Sequence, residues 1–208
     1  MNVLPWVVFL PLIAGALAFL IPSGADRGRQ WFSTIVASAV FVLSIVALVG
    51  GNSSFQAAPL GFLPGFLVDL RMDELNRFMV LFASLFGLLV TVFSIGYMEG
   101  RSRQREYYAY VLLTVGAANG ALLADNWLAF IGFWGLVLVT LFLLTTIGAA
   151  DASPAKVMAS AGKSMLVLGA GDLALILGVG IIFAQSGTLA ISETSLSAAG
   201  AAGVAAFV

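Results

Sequence analysis

LVLGAGDLALILG, Leu166 to Gly178, admits two incompatible readings. Gly169-Ala-Gly171-Asp-Leu-Ala174 fits the pattern G-x-G-x-x-A, and an apolar, strand-like run, Met165 to Leu168, leads into it. Glu193, twenty-two residues after Gly171, stands near where an acid holds a ribose hydroxyl in a dinucleotide-binding turn. In the other reading the same residues lie inside a membrane helix, and Asp172 is a lone carboxylate at lipid depth. The context excludes the nucleotide turn. Such a turn needs further parallel strands around it, yet only thirty-four residues follow Ala174, with one acid and no base among them. The run LALILGVGIIF has no polar face to turn to water. In a chain with 23 glycines, one spaced pair carries little information.

Composition agrees. Of 208 residues, 61% are hydrophobic and 9% charged, against roughly 25% charged in soluble globular domains. A net charge of −1 makes no case for nucleic acid. With no Cys there are no disulfides and no thiolate metal or iron–sulfur sites, and with no His the commonest acid–base side chain is missing. No nucleophile–base pair, metal cluster or phosphate loop is present, so no catalytic site and no cofactor are expected. Proton chemistry falls to Asp, Glu, Lys, Tyr and water.

The apolar runs have membrane length, about 20 residues. They are 3–21, 31–50, 78–98, 108–123, 127–147 and 164–184, with a half-length run from Ala198 to Val208. The expected class is all-α integral membrane, six complete transmembrane helices plus the start of a seventh. The first run lacks the basic start of a signal peptide and contains Pro11. The longest connection, 51–77, has room for a short interfacial helix. Asp73 is placed to cap the third span, with Arg77 one turn on as its partner. Asp125-Asn126 leaves almost no loop between spans four and five, which predicts a tight antiparallel hairpin, and Pro154 suits a first helical turn.

Charges sort by connection. Arg27 and Arg29 follow span one, Arg101, Arg103 and Arg105 follow span three, and Lys156 and Lys163 follow span five; the alternate connections hold only Arg71 and Arg77. The positive-inside rule then places the N-terminus outside, with the arginines serving as topology signals.

Asp172 is the leading functional candidate. An ionised carboxylate at mid-bilayer costs about 2.5–3.5 kcal/mol even on the lenient insertion scale, and such residues mark proton paths by default. The competing reading is a packing hydrogen bond to a neighbouring helix. Lys163 is the second candidate. It lies nine residues earlier, about 13 Å and two and a half turns along a helix, so the two point to opposite faces and each needs its own partner. Snorkelling to the headgroups is the alternative for Lys163. Asp125 and Trp134 are weaker candidates, the first expected mainly at a helix end and the second mainly in packing.

Three ordered segments carry a resemblance. VDLRMDELNRFMVLFASLFGLLVTVFSIGYME, YYAYVLLTVGAANGALLADNWLAFIGFW and AGKSMLVLGAGDLALILGVGIIFAQSGTL are similar to the antiporter-like membrane subunits of respiratory complex I (NADH:quinone oxidoreductase) and their relatives in Mrp antiporters and membrane-bound hydrogenases. The resemblance runs from about Val68 to Ala190. It implies the N-terminal part of an antiporter-like fold of about fourteen helices built from repeated bundles with broken central helices. On that basis residues 1–66 form a two-helix segment and loop, and 67–208 begin the bundle. It also implies translocation of protons or Na⁺ without a redox cofactor, and it matches Asp172 and Lys163 to the family's relay acid and lysine. Two departures stand out. The family Glu that follows the Trp of the fifth helix is replaced by Gly135, and the broken helix with its own Lys would follow Val208, which makes a truncated chain or one piece of a split protein the expectation.

The expected function is therefore a proton- or cation-translocating membrane subunit of a complex-I-like or hydrogenase-like redox pump in a bacterial inner membrane. Its expected partners are other membrane and redox subunits, including quinone-linked ones, with lipid and ions and without nucleic acid. The alternatives are a non-conducting scaffold and a stand-alone proton-coupled transporter.

Overall fold

The computed structural model of the chain describes residues 2–22, 24–57, 68–147 and 153–194. Among these the order is α1 (Leu4–Ala18), α2 (Asp26–Val49), β1 (Ser53–Ala57), β2 (Val68–Met72), α3 (Glu74–Tyr97), α4 (Gln104–Leu123), α5 (Trp127–Thr145) and α6 (Pro154–Ser186). The expected seventh span and the division at residue 66 lie outside the described residues.

Four of these helices, α2, α3, α5 and α6, are long and apolar enough to cross a membrane; α1 is apolar but shorter. Six complete spans are therefore not established by length and composition. α4 falls short for a physical reason. It packs against α1, α3 and α5 and touches α2, so protein rather than lipid surrounds it. Eleven of its residues are buried, Asn119 among them. A helix shielded in this way tolerates small and polar residues that a lipid-facing one does not.

The α1–α4 crossing is held close by glycines on both helices. A Cβ on Gly15 would lie 2.8 Å from Leu113 Cγ and 3.0 Å from the Ala109 carbonyl oxygen, and one on Gly116 would lie 2.7 Å from Leu12 Cγ. Each helix thus offers a glycine to a leucine of the other. Where lipid tails are as apolar as side chains, close van der Waals contact of this kind holds helices together. Gly116→Val and Gly15→Val are expected to cost about 1–3 kcal/mol each through overpacking, read as a lower unfolding midpoint in detergent. Gly171→Ala, whose new methyl would meet nothing within 4 Å, should not lower the midpoint and should raise it slightly through helix propensity.

In the 51–77 connection, residues 58–67, where the short interfacial helix is expected, lie outside the described residues. The described part of the connection is a two-stranded antiparallel sheet with Ser53 opposite Met72 and Ala57 opposite Val68. Val68, Leu70 and Met72 are buried while Asp69 and Arg71 face away, the period-2 alternation of a half-buried strand. Asp73 does cap α3, accepting from the Asn76 N–H at 3.0 Å. Arg77, however, donates to the Asp73 carbonyl (3.3 Å), to Leu48 and to Asn52, and makes no ion pair with the Asp73 carboxylate. The α4–α5 turn is the expected tight hairpin, and Asn126 caps α5 by accepting from Leu128 and Ala129. α6 starts at Pro154, so Lys163 lies inside the helix rather than at its start.

Hydrogen bonds sort the connections into two ends. Asn2 reaches Ser54, Asp125 N–H reaches the Asp69 carbonyl, and Ile191 N–H reaches the Asp125 carbonyl. The N-terminus, the sheet, the α4–α5 turn and the segment after α6 therefore share one end. Arg103 reaches the Thr146 carbonyl at the other, where the Arg-rich turns gather.

Candidate functional site

α5 and α6 pack against each other and bring two of the four candidate residues together. Trp134 Nε1–H donates to Asp172 Oδ1 at 2.9 Å. The indole is itself held by stacking on Phe130, with centroids 5.9 Å apart and ring planes at 24°. Asp172 sits mid-way along α6 and is half-buried. Its second carboxylate oxygen accepts no hydrogen bond from any described residue, which leaves it available to a proton, a cation or water. The indole N–H is a donor only; it can orient the carboxylate but cannot pass a proton on. The chemistry of the pair is that of one ion-carrying group and one positioning group.

Next to Trp134, a Cβ on Gly135 would meet nothing within 4 Å. No carboxylate occupies this position. Lys163 is exposed and, among the described residues, has no hydrogen bond or ion pair. It does not join Asp172, as the helical spacing requires.

Asp125 is built into the far end of the bundle. Its Oδ1 accepts from the Ser192 N–H at 2.8 Å and its Oδ2 from the Ser192 hydroxyl at 2.7 Å, with Arg71 Nη1 3.7 Å away. Through its backbone it also joins Asp69 and Ile191. Together with the isolated bridges Leu70–Ala124 and Asn126–Ala190 and the Trp127–Thr194 hydrogen bond, these contacts tie β2, the α4–α5 turn and residues 189–194 into one knot.

Two polar features were missed by sequence reasoning. Asn119, fully buried in α4, donates to the Val7 carbonyl at 3.2 Å and to Ser84 Oγ at 3.3 Å, and Thr114 donates to Thr140 at 2.8 Å. The only signal for Asn119 is a lone amide in the run TVGAANGALL. Arg29 is the second. Read as a topology charge in a loop, it lies instead in α2 with a side chain only 1% exposed, paired with Asp26 at 2.9 Å and donating to the Pro22 carbonyl at 2.8 Å.

The family described as NADH-ubiquinone oxidoreductase (complex I), chain 5 N-terminus, matches residues 65–108. The A1 subunit of the Na(+)/H(+) antiporter of Staphylococcus aureus is 31% identical over 150 residues, 69% of this chain and 18% of that protein. The chain thus spans less than a fifth of the length of the curated relatives it matches. Among solved structures, the Mrp complex from Dietzia sp. DQ12-45-1b superposes with a TM-score of 0.83 at 20% identity, over 99% of this chain and 22% of that one. Respiratory complex I from Thermus thermophilus gives 0.77 at 22% identity, over 99% and 42%. The archaeal membrane-bound sulfane sulfur reductase gives 0.72 at 23% identity, over 92% and 29%. The apolar helices and these likenesses together make the chain an integral membrane protein whose fold is that of antiporter-like subunits of multi-subunit membrane complexes.

Proposed function

We propose that this chain helps to form a proton or cation path within a larger membrane complex. It is a homologue of the N-terminal part of the A1 subunit of Na⁺/H⁺ antiporters and of the membrane subunits of complex I. The observation that carries this reading is the Trp134–Asp172 contact. It fixes one oxygen of a mid-helix carboxylate through a side chain of the neighbouring helix. An ionisable side chain at lipid depth is costly, and such residues mark ion paths by default. Asp172 is the ion carrier, Trp134 its positioning residue, and Lys163 acts through water or a helix supplied from outside the described residues. The Arg-rich end faces the cytoplasm and the N-terminus faces outward, by the positive-inside rule.

Proteoliposomes holding the complete complex test this reading. A pH change driven by Na⁺ or by redox turnover should depend on the chain's presence. Trp134→Phe retains the ring stacking but removes the N–H; loss of about 1 kcal/mol of hydrogen bonding should lower transport several-fold without changing assembly. A scaffold would show full transport in that variant, and disassembly only when the chain is deleted. Uptake by the chain alone in liposomes would favour a stand-alone transporter.

A further inference from the structure

We propose that the basic cavity where α2 and α4 begin is a phosphate site that holds the headgroup of an anionic phospholipid. The cavity has a volume of about 300 Å³ and is lined by Asp26, Arg29, Arg101, Arg103, Arg105 and Glu106, with Gln104 between them. Four guanidiniums face two carboxylates, an excess of two positive charges. The first turns of two helices also open into it. Neither Ala25, which precedes α2, nor Arg103, which precedes α4, caps its helix with a side chain, so the positive ends of both helix dipoles and their first-turn N–H groups add to the field.

The buried side chains point to a missing acceptor. Arg29 is 1% exposed, and its Nε–H has no partner although both terminal nitrogens are bonded. Gln104, 5% exposed, has an unpartnered Oε1, an acceptor that a headgroup hydroxyl rather than a phosphate oxygen would satisfy. Buried donors without acceptors are rare in folded proteins and signal an absent ligand or water. Arg103 is committed to Glu106 and to the Thr146 carbonyl. Arg101 and Arg105 have no carboxylate partner among the described residues. Arg101 rests on the Tyr97 ring, and planar guanidiniums match phosphate oxygens in pairs.

The apolar surroundings favour a lipid over free phosphate. Arg101 lies 4.1 Å above the Tyr97 ring, and Tyr97 stacks on Phe93 with centroids 5.8 Å apart. Phe93 is itself 69% exposed. An unbroken path thus leads from the charged cavity to an exposed apolar surface on α3. A phosphodiester with acyl chains uses both parts; inorganic phosphate uses only the first.

The test uses the complete complex, purified, stripped of lipid with detergent and examined by native mass spectrometry with phosphatidylglycerol, phosphatidylcholine or inorganic phosphate. Phosphatidylglycerol should be retained about tenfold better than phosphatidylcholine. Arg101→Gln combined with Arg105→Gln, both exposed side chains whose loss leaves the fold intact, should reduce that retention about tenfold. Arg27→Gln, an exposed arginine on the same end outside the cavity, should leave it unchanged. The proposal is overturned if the two lipids bind equally, if the double variant binds like wild type, or if Arg27→Gln loses as much. Displacement of phosphatidylglycerol by millimolar phosphate would assign the site to the free ion. Binding only after the complex dissociates would assign the cavity to a neighbouring protein of the complex.

Discussion

Asp172→Asn in the assembled complex is expected to lower ion translocation on the order of 10²-fold, the scale of losing a positioned proton-transfer group, while the amount of complex stays at the wild-type level. The separation of the two effects follows from the geometry. Asparagine keeps the shape of aspartate, and its Oδ1 can still accept the Trp134 N–H that Asp172 accepts at 2.9 Å. The α5–α6 contact therefore survives. An amide cannot take up and release a proton, and it binds a cation far less strongly than a carboxylate. Asp172→Glu restores the charge on a longer arm and should recover part of the rate. Lys163→Gln should have a smaller effect, because Lys163 is exposed and faces away from Asp172. Transport coupled to turnover in proteoliposomes, measured beside the abundance of complex, separates the outcomes. Unchanged transport in Asp172→Asn would leave Asp172 as a packing residue and the chain as a scaffold.

The second large effect is one of stability. Asp125→Ala removes two hydrogen bonds to Ser192, at 2.8 and 2.7 Å, and the Arg71 contact at 3.7 Å. The Asp125 side chain is only 13% exposed, whereas Arg71 is half exposed and regains water when released; the ion pair itself is therefore worth little. The charge-assisted hydrogen bonds dominate, and their loss should cost about 2–3 kcal/mol. Hydrogen exchange should rise at residues 189–194, which the knot holds against the α4–α5 turn, and the unfolding midpoint should fall. Asp125→Asn keeps one acceptor and should fall between the two. Equal exchange in Asp125→Ala and wild type would show that the backbone bridges at Leu70 and Asn126 hold this end without the side chain.

The helices were legible because lipid imposes a simple rule, a run of apolar residues long enough to cover the bilayer. Their true ends were not. α6 begins ten residues before its apolar run, at Pro154, since a helix extends into the interface without any apolar signal. α4 read as one more span, yet it is the shielded centre of the bundle, a fact set by its neighbours and not by its own composition. The sheet was missed although Val-Asp-Leu-Arg-Met alternates, because Gly, Pro and Ser around it read as a loop. Helical spacing alone correctly kept Lys163 and Asp172 apart. It could not pair Trp134 with Asp172, thirty-eight residues away, because the rotation of α5 against α6 comes from packing. Arg29 was misread for a similar reason. A charge beside a turn looks exposed in sequence, and only the contact with Asp26 and Pro22 shows it buried.

Infrared difference spectroscopy on the complex during ion turnover tests the role of Asp172 most directly. A carboxyl band that appears or disappears with turnover in wild type, and is absent in Asp172→Asn, is the expected result: it would show this side chain taking up and releasing its ion. The same carboxyl bands in both proteins, with turnover proceeding, would place the ion path elsewhere.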